Sequence, residues 1–190
     1  MAQRGFDLDA LGTAEWVRTR GRCDITEVQC VLIAQNKALL DYVLRVENEI
    51  GERAWSILSD QALERRRGWL HSNLHNLALD GPPPRKAYRL FFEFYLKTDL
   101  AEVPIIFEDD KRIVWKSYNF CPTLEACREL GISTRRVCRH SEESLHLFGR
   151  AFHPHLRFAR NYDHIRPYQD SCMESFYLEG EYDEVTVFVF

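Results

Sequence analysis

Asp80-Gly81-Pro82-Pro83-Pro84 splits the chain into two parts of different pattern. Glycine ends a helix readily, and consecutive prolines forbid its continuation because each lacks an N–H and clashes with the preceding turn. Upstream, the apolar residues recur at helical spacing. Val28, Val31, Leu32, Ala38, Leu39, Tyr42, Val43 and Val46 make one stripe; Ala54, Trp55, Leu58, Ala62, Leu63, Trp69, Leu70, Leu74 and Leu77 make another. Asp24 with Glu27 three residues on has the form of a capping box for the first of these helices, and Asn48 and Gly51 mark its break or bend. Ala14–Arg20 carries a shorter helical pattern, and Arg65, Arg66 and Arg67 are expected on a solvated face.

Downstream the pattern changes. Ala87–Lys97 is a run of large apolar residues whose length, after three prolines, suits a buried helix. Val103–Phe107 and Arg112–Phe120 read as strands joined at Glu108-Asp109-Asp110-Lys111, and Cys172–Leu178 and Val185–Phe190 as a closing hairpin across Glu179-Gly180-Glu181. Ser141 is a candidate cap for a helix holding Leu145, Leu147 and Phe148, and Phe152–Asp170 has few periodic cues. Helices first, then strands with intervening helices, predicts an α+β fold. Its form is an N-terminal helical bundle packed on a mainly antiparallel sheet of about four strands. The parts are residues 1–81 and 82–190, expected to form one compact unit.

The sharpest local signal runs from Tyr118 to Cys138. A strand ends on Cys121, and Pro122 fits the first helical position, where its missing N–H costs nothing. Cys121 therefore falls at the N-cap, facing unpaired backbone N–H groups and the positive end of the helix dipole, which favour thiolate. Gly131 suits the C-cap after Leu130.

Composition narrows the function classes. The net charge of −4 over 190 residues argues against a general nucleic-acid binder. No segment approaches the roughly 20 apolar residues of a membrane span, and the first residues lack an apolar signal-peptide core. The expectation is a cytoplasmic protein with a small-molecule partner and no membrane, able to form a homo-oligomer. In a reducing compartment six cysteines are buried thiols, metal ligands or a nucleophile rather than a disulfide framework.

From Gly51 onward the chain resembles the L-2-amino-thiazoline-4-carboxylic acid hydrolase-like family. The resemblance rests on Cys121-Pro122, Glu125-Ala126, Leu130-Gly131 and Cys138, then Pro154, an arginine-bearing stretch, and Asp170-Ser171-Cys172 before a final strand. It implies a hydrolase that opens the C–N bond of a small cyclic amidine. Arg160-Asn161-Tyr162-Asp163 departs from the more basic stretch expected there, and Cys127 is an extra cysteine, expected in the core.

Such a reaction needs a nucleophile at the amidine carbon and a proton for the leaving atom. Cys121 is the candidate nucleophile or key site residue, His140 the candidate acid/base, and Asp170 a candidate to orient a base or bind the substrate ammonium. Arg160, Arg166 and Asn119 are candidates for substrate binding, the arginines through bidentate carboxylate contacts. The same region offers a different reading, a non-catalytic small-molecule, metal or redox-sensing domain using Cys121, Cys138, His140 and Cys172 around zinc or an iron–sulfur cluster.

Overall fold

The structure is a computed structural model and describes residues 26–190. The helical pattern at Ala14–Arg20 and the cap at Asp24 lie outside the described residues. The elements in order are α1 (Glu27–Ile50), a 3-10 turn (Gly51–Trp55), α2 (Ser56–Asn73), α3 (Pro83–Arg89) and a π-helix (Leu90–Leu96). There follow β1 (Ile105–Glu108), β2 (Arg112–Ser117), α4 (Pro122–Leu130), α5 (Thr134–Glu142), α6 (His146–Arg150), β3 (Leu156–Asn161) and β4 (Cys172–Leu178). The fold is α+β, with a four-stranded sheet in the order β1-β2-β4-β3 and every neighbouring pair antiparallel.

The chain groups into two compact units, each drawn from two stretches rather than divided at Gly81 and Pro82. In one unit, α1 packs with α4. Thr26 caps α1: its Oγ1 accepts from the Gln29 N–H at 3.3 Å and its own N–H donates to Gln29 Oε1 at 3.0 Å. The capping box therefore sits at Thr26 and Gln29. Gly51 closes α1 with φ 66°, a conformation that glycine adopts at little cost. Ile33, Leu40 and Val43 of α1 are buried, as are Leu124, Ala126 and Cys127 of α4. Cys127 is a core residue, and burial pushes its thiol up to about 11.

The other unit comprises Ser56–Phe120 and Arg135–Phe190, so α2 belongs with the sheet. Ile113 and Trp115 of β2, Phe176 of β4 and Leu156 and Phe158 of β3 join Ala87, Tyr88, Leu90, Phe91, Phe92 and Phe148 in one aromatic-rich core. The run Ala87–Lys97 is helical, as its length and the preceding prolines require, but its second half widens to a π-helix and ends at Lys97 with φ 54°. Gly149 lets α6 approach β3, since a Cβ there would lie 2.9 Å from the Leu156 carbonyl oxygen.

Three expectations are corrected. β3 occupies the stretch with few periodic cues: Leu156, Phe158 and Arg160 lie on one face. Ser141 does not start a helix; α5 runs through it, and its hydroxyl bonds back to the Cys138 carbonyl at 3.0 Å. Val185–Phe190 is no strand. Asp183 Oδ1 accepts from the N–H groups of Val185 and Thr186 at 2.9 and 2.7 Å and coils the chain into a short 3-10 turn, Thr186–Phe188. Arg112, buried between the rings of Phe107 and Tyr182, then donates to the carbonyls of Thr186, Val187 and Val189.

Candidate functional site

The core face of the sheet turns polar at one end. Side chains alternate along a strand, so the rows Leu156-Phe158-Arg160, Phe176-Glu174 and Ile113-Trp115-Ser117 share that face. Register places Glu174 opposite both Arg160 and Trp115. Glu174 Oε1 accepts from Arg160 Nε at 2.8 Å and Nη2 at 2.6 Å. Its Oε2 accepts from Trp115 Nε1 at 3.1 Å and Ser117 Oγ at 2.9 Å. The carboxylate is thus fully satisfied, but the guanidinium is not. Both contacts fall on one oxygen, and Arg160 Nη1 stays buried without a partner, although the side chain is only 10% exposed.

Helices α5 and α2 bring more chemistry to the same cluster. Tyr162, two residues after Arg160, donates its hydroxyl to Glu142 at the end of α5. Burial raises the Glu142 carboxyl above its ordinary value, against the Tyr162 hydroxyl and Arg160, which lower it, and burial also raises the Tyr162 phenol. Cys138 lies one helical turn before Glu142 on α5, on the same face. Burial works against the Arg160 cation, yet the negative charge that Cys138 and Glu174 can carry outweighs it and raises its pKa well above the ordinary value. A cation beside a thiol is the environment that favours thiolate over thiol. Arg66 of α2 completes the cluster. Its Nη1 donates to the Ser141 carbonyl at 3.2 Å, its Nε is buried without a partner, and burial, with Arg160 among the contributing charges, lowers its pKa to about 10. Cys138, Glu142, Tyr162 and Arg66 are each partly exposed, so the cluster opens to the surface.

The other sequence candidates fall as follows. Cys121 is the N-cap of α4 with extended backbone, Pro122 follows at the first helical position, and Gly131 caps the far end at φ 66°. The cap and helix reading therefore holds, but β2 ends at Ser117, so no strand runs up to Cys121. Cys121 belongs to the α1–α4 unit, while Cys138, His140, Arg160, Arg166, Asp170, Cys172 and Asn119 belong to the sheet unit. His140 lies on α5, and its carbonyl accepts from Ser59 Oγ. Arg166 Nη1 donates to the carbonyls of Tyr118 and Asn119 at 3.1 and 2.8 Å, which makes it a brace for the loop after β2. The Asn119 amide donates to the neighbouring Phe120 carbonyl at 3.3 Å. Cys172 Sγ accepts the Arg166 N–H at 3.4 Å.

Asp170 is exposed and meets Ser171 and His164, but not as a nucleophile–base–orienter chain. His164 Nε2 faces both Ser171 Oγ at 2.9 Å and Asp170 Oδ1 at 3.5 Å, so the carboxylate does not hold the far ring nitrogen. The Ser171 hydroxyl, donating to Asp170 at 2.8 Å, lowers that carboxyl's pKa. Among the described residues no three His, Cys, Asp or Glu side chains converge as a metal ion requires, and no helix is long and apolar enough to cross a membrane.

Sequence reasoning missed Arg66, Glu142, Tyr162 and Glu174. Glu174 had a signal, since it shares parity with Phe176 on a strand whose core face is apolar.

No family model, no curated protein and no solved structure matches the chain.

Proposed function

We propose that the protein is a thiol-dependent hydrolase that opens a C–N bond in a small cyclic amidine bearing a carboxylate. One observation carries this reading: Cys138 shares a largely buried cluster with Arg160, whose Nη1 is unpartnered, and with Glu142, whose carboxyl burial raises above its ordinary value. The thiolate favoured by Arg160 adds to the amidine carbon. Glu142, held by Tyr162, supplies the proton to the departing atom, and water then releases the thiol. The nucleophile moves from Cys121 to Cys138 because Cys138 shares a unit with the candidate acid and the arginines. The resemblance noted in the sequence supports the reaction class.

The test is turnover of a 2-amino-thiazoline carboxylate, followed by appearance of the free amine that opening the ring C–N bond releases. Cys138→Ser abolishes turnover and Cys121→Ser retains it. Full activity in Cys138→Ser would remove the nucleophile assignment.

A further inference from the structure

Two buried guanidinium N–H groups in one cluster lack acceptors: Arg160 Nη1 and Arg66 Nε. Buried polar atoms are nearly always satisfied, so an orphan donor asks for a partner that arrives with a ligand. The surrounding bonds fix both arginines. Arg160 is held by two contacts to Glu174 Oε1, at 2.8 and 2.6 Å, and Arg66 by the Ser141 carbonyl at 3.2 Å. Arg160 lies across the Phe158 ring, its guanidinium carbon 5.2 Å from the centroid. Neither guanidinium can swing to water without breaking these contacts.

We propose that Arg66 Nε and Arg160 Nη1 are the two arms of a carboxylate-binding subsite that selects anionic substrates for the Cys138 centre. The inference rests on the hydrolase reading for the word substrate and on the two orphan nitrogens for the subsite. Two donors match the two oxygens of one carboxylate. A phosphate would bring four oxygens to two orphan nitrogens. Arg66 is a specificity residue here, distinct from the thiol and the acid. It comes from α2, a helix whose Arg65-Arg66-Arg67 run reads as solvated surface in the sequence. Arg65 and Arg67 are indeed exposed, and only Arg66 turns inward.

Isothermal titration of the full chain tests this with three probes: thiazolidine-4-carboxylate, which has the carboxylate but no amidine to hydrolyse, unsubstituted thiazolidine, and inorganic phosphate. The wild type binds the carboxylate saturably and the other two at least tenfold more weakly. Arg66→Met and Arg160→Met each weaken carboxylate binding about 10- to 100-fold, the range for a charged hydrogen bond. Arg66→Lys, which keeps the charge but loses Nε, weakens it by an intermediate factor and supplies the test should Arg66→Met fail to fold. Carboxylate affinity unchanged in Arg66→Lys and in a folded Arg66→Met overturns the subsite, as does phosphate binding as tightly as the carboxylate. Arg66-dependent binding in a protein with no Cys138-dependent turnover leaves the subsite standing and removes the hydrolase reading.

Discussion

Glu174→Gln isolates what holds the polar cluster together. The wild-type carboxylate is buried and accepts four hydrogen bonds, two from Arg160 on one oxygen and one each from Trp115 and Ser117 on the other. Glutamine has one acceptor oxygen. Its amide nitrogen must face either the guanidinium or the indole and hydroxyl, and in either pose donor meets donor. The change also strands the Arg160 charge in the core, and removing one partner of a buried ion pair costs about 3–5 kcal/mol. For a domain of this size each kcal/mol lowers Tm by about 2–4 °C, so a fall of about 6–20 °C follows. The assay is urea and thermal denaturation by circular dichroism. The double variant Arg160→Met/Glu174→Met removes both charges together. It leaves the Trp115 N–H its 3.1 Å contact with Ser117 Oγ, so it recovers most of the loss. A Glu174→Gln protein within about 0.5 kcal/mol of wild type, the range of ordinary surface changes, would refute the reasoning.

Burial raises the folded Glu142 pKa above its ordinary 4.5, so its contribution to stability is complete below that value and is lost as pH rises through the folded pKa. Glu142→Gln flattens this part of the pH profile in urea melts. His146 runs the other way: burial lowers its pKa from 6.5, and its Nδ1 accepts the Phe158 N–H at 2.9 Å, which requires the neutral ring. Its contribution is therefore present above 6.5 and lost as pH falls through the folded value; ring resonances followed by NMR titrate below the free-histidine range. Gly149→Ala drives a methyl to within 2.9 Å of the Leu156 carbonyl oxygen and costs about 1–3 kcal/mol in denaturant titration.

Features set by neighbours in sequence were legible, and features set by distant packing were not. Cys121, Pro122 and Gly131 landed as expected because cap chemistry is local. The helix expected over Ala87–Lys97 from its length and the prolines before it is present, but it starts earlier, at Pro83, with prolines inside its first turn. Val185–Phe190 misled because its β-branched and aromatic residues have strand character, whereas Asp183 and the buried Arg112 capture its backbone polar groups from outside the segment. Arg66 was unreadable for a geometric reason. Successive helical residues are about 100° apart, so within a run of three arginines only tertiary packing decides which one turns inward. The site residues divided likewise: Arg160 was picked for its chemistry, but its partner Glu174 is defined by cross-strand register.

The central claim is that Arg160 activates Cys138. The most direct measurement is the pH-dependent rate of alkylation at each cysteine, resolved by mass spectrometry, in wild type and in Arg160→Met. The account predicts that Cys138 reacts first at neutral pH, that its rate falls in Arg160→Met, and that Cys127 reacts only on unfolding. Slow Cys138 alkylation in the wild type, or the same rate in Arg160→Met, would contradict it.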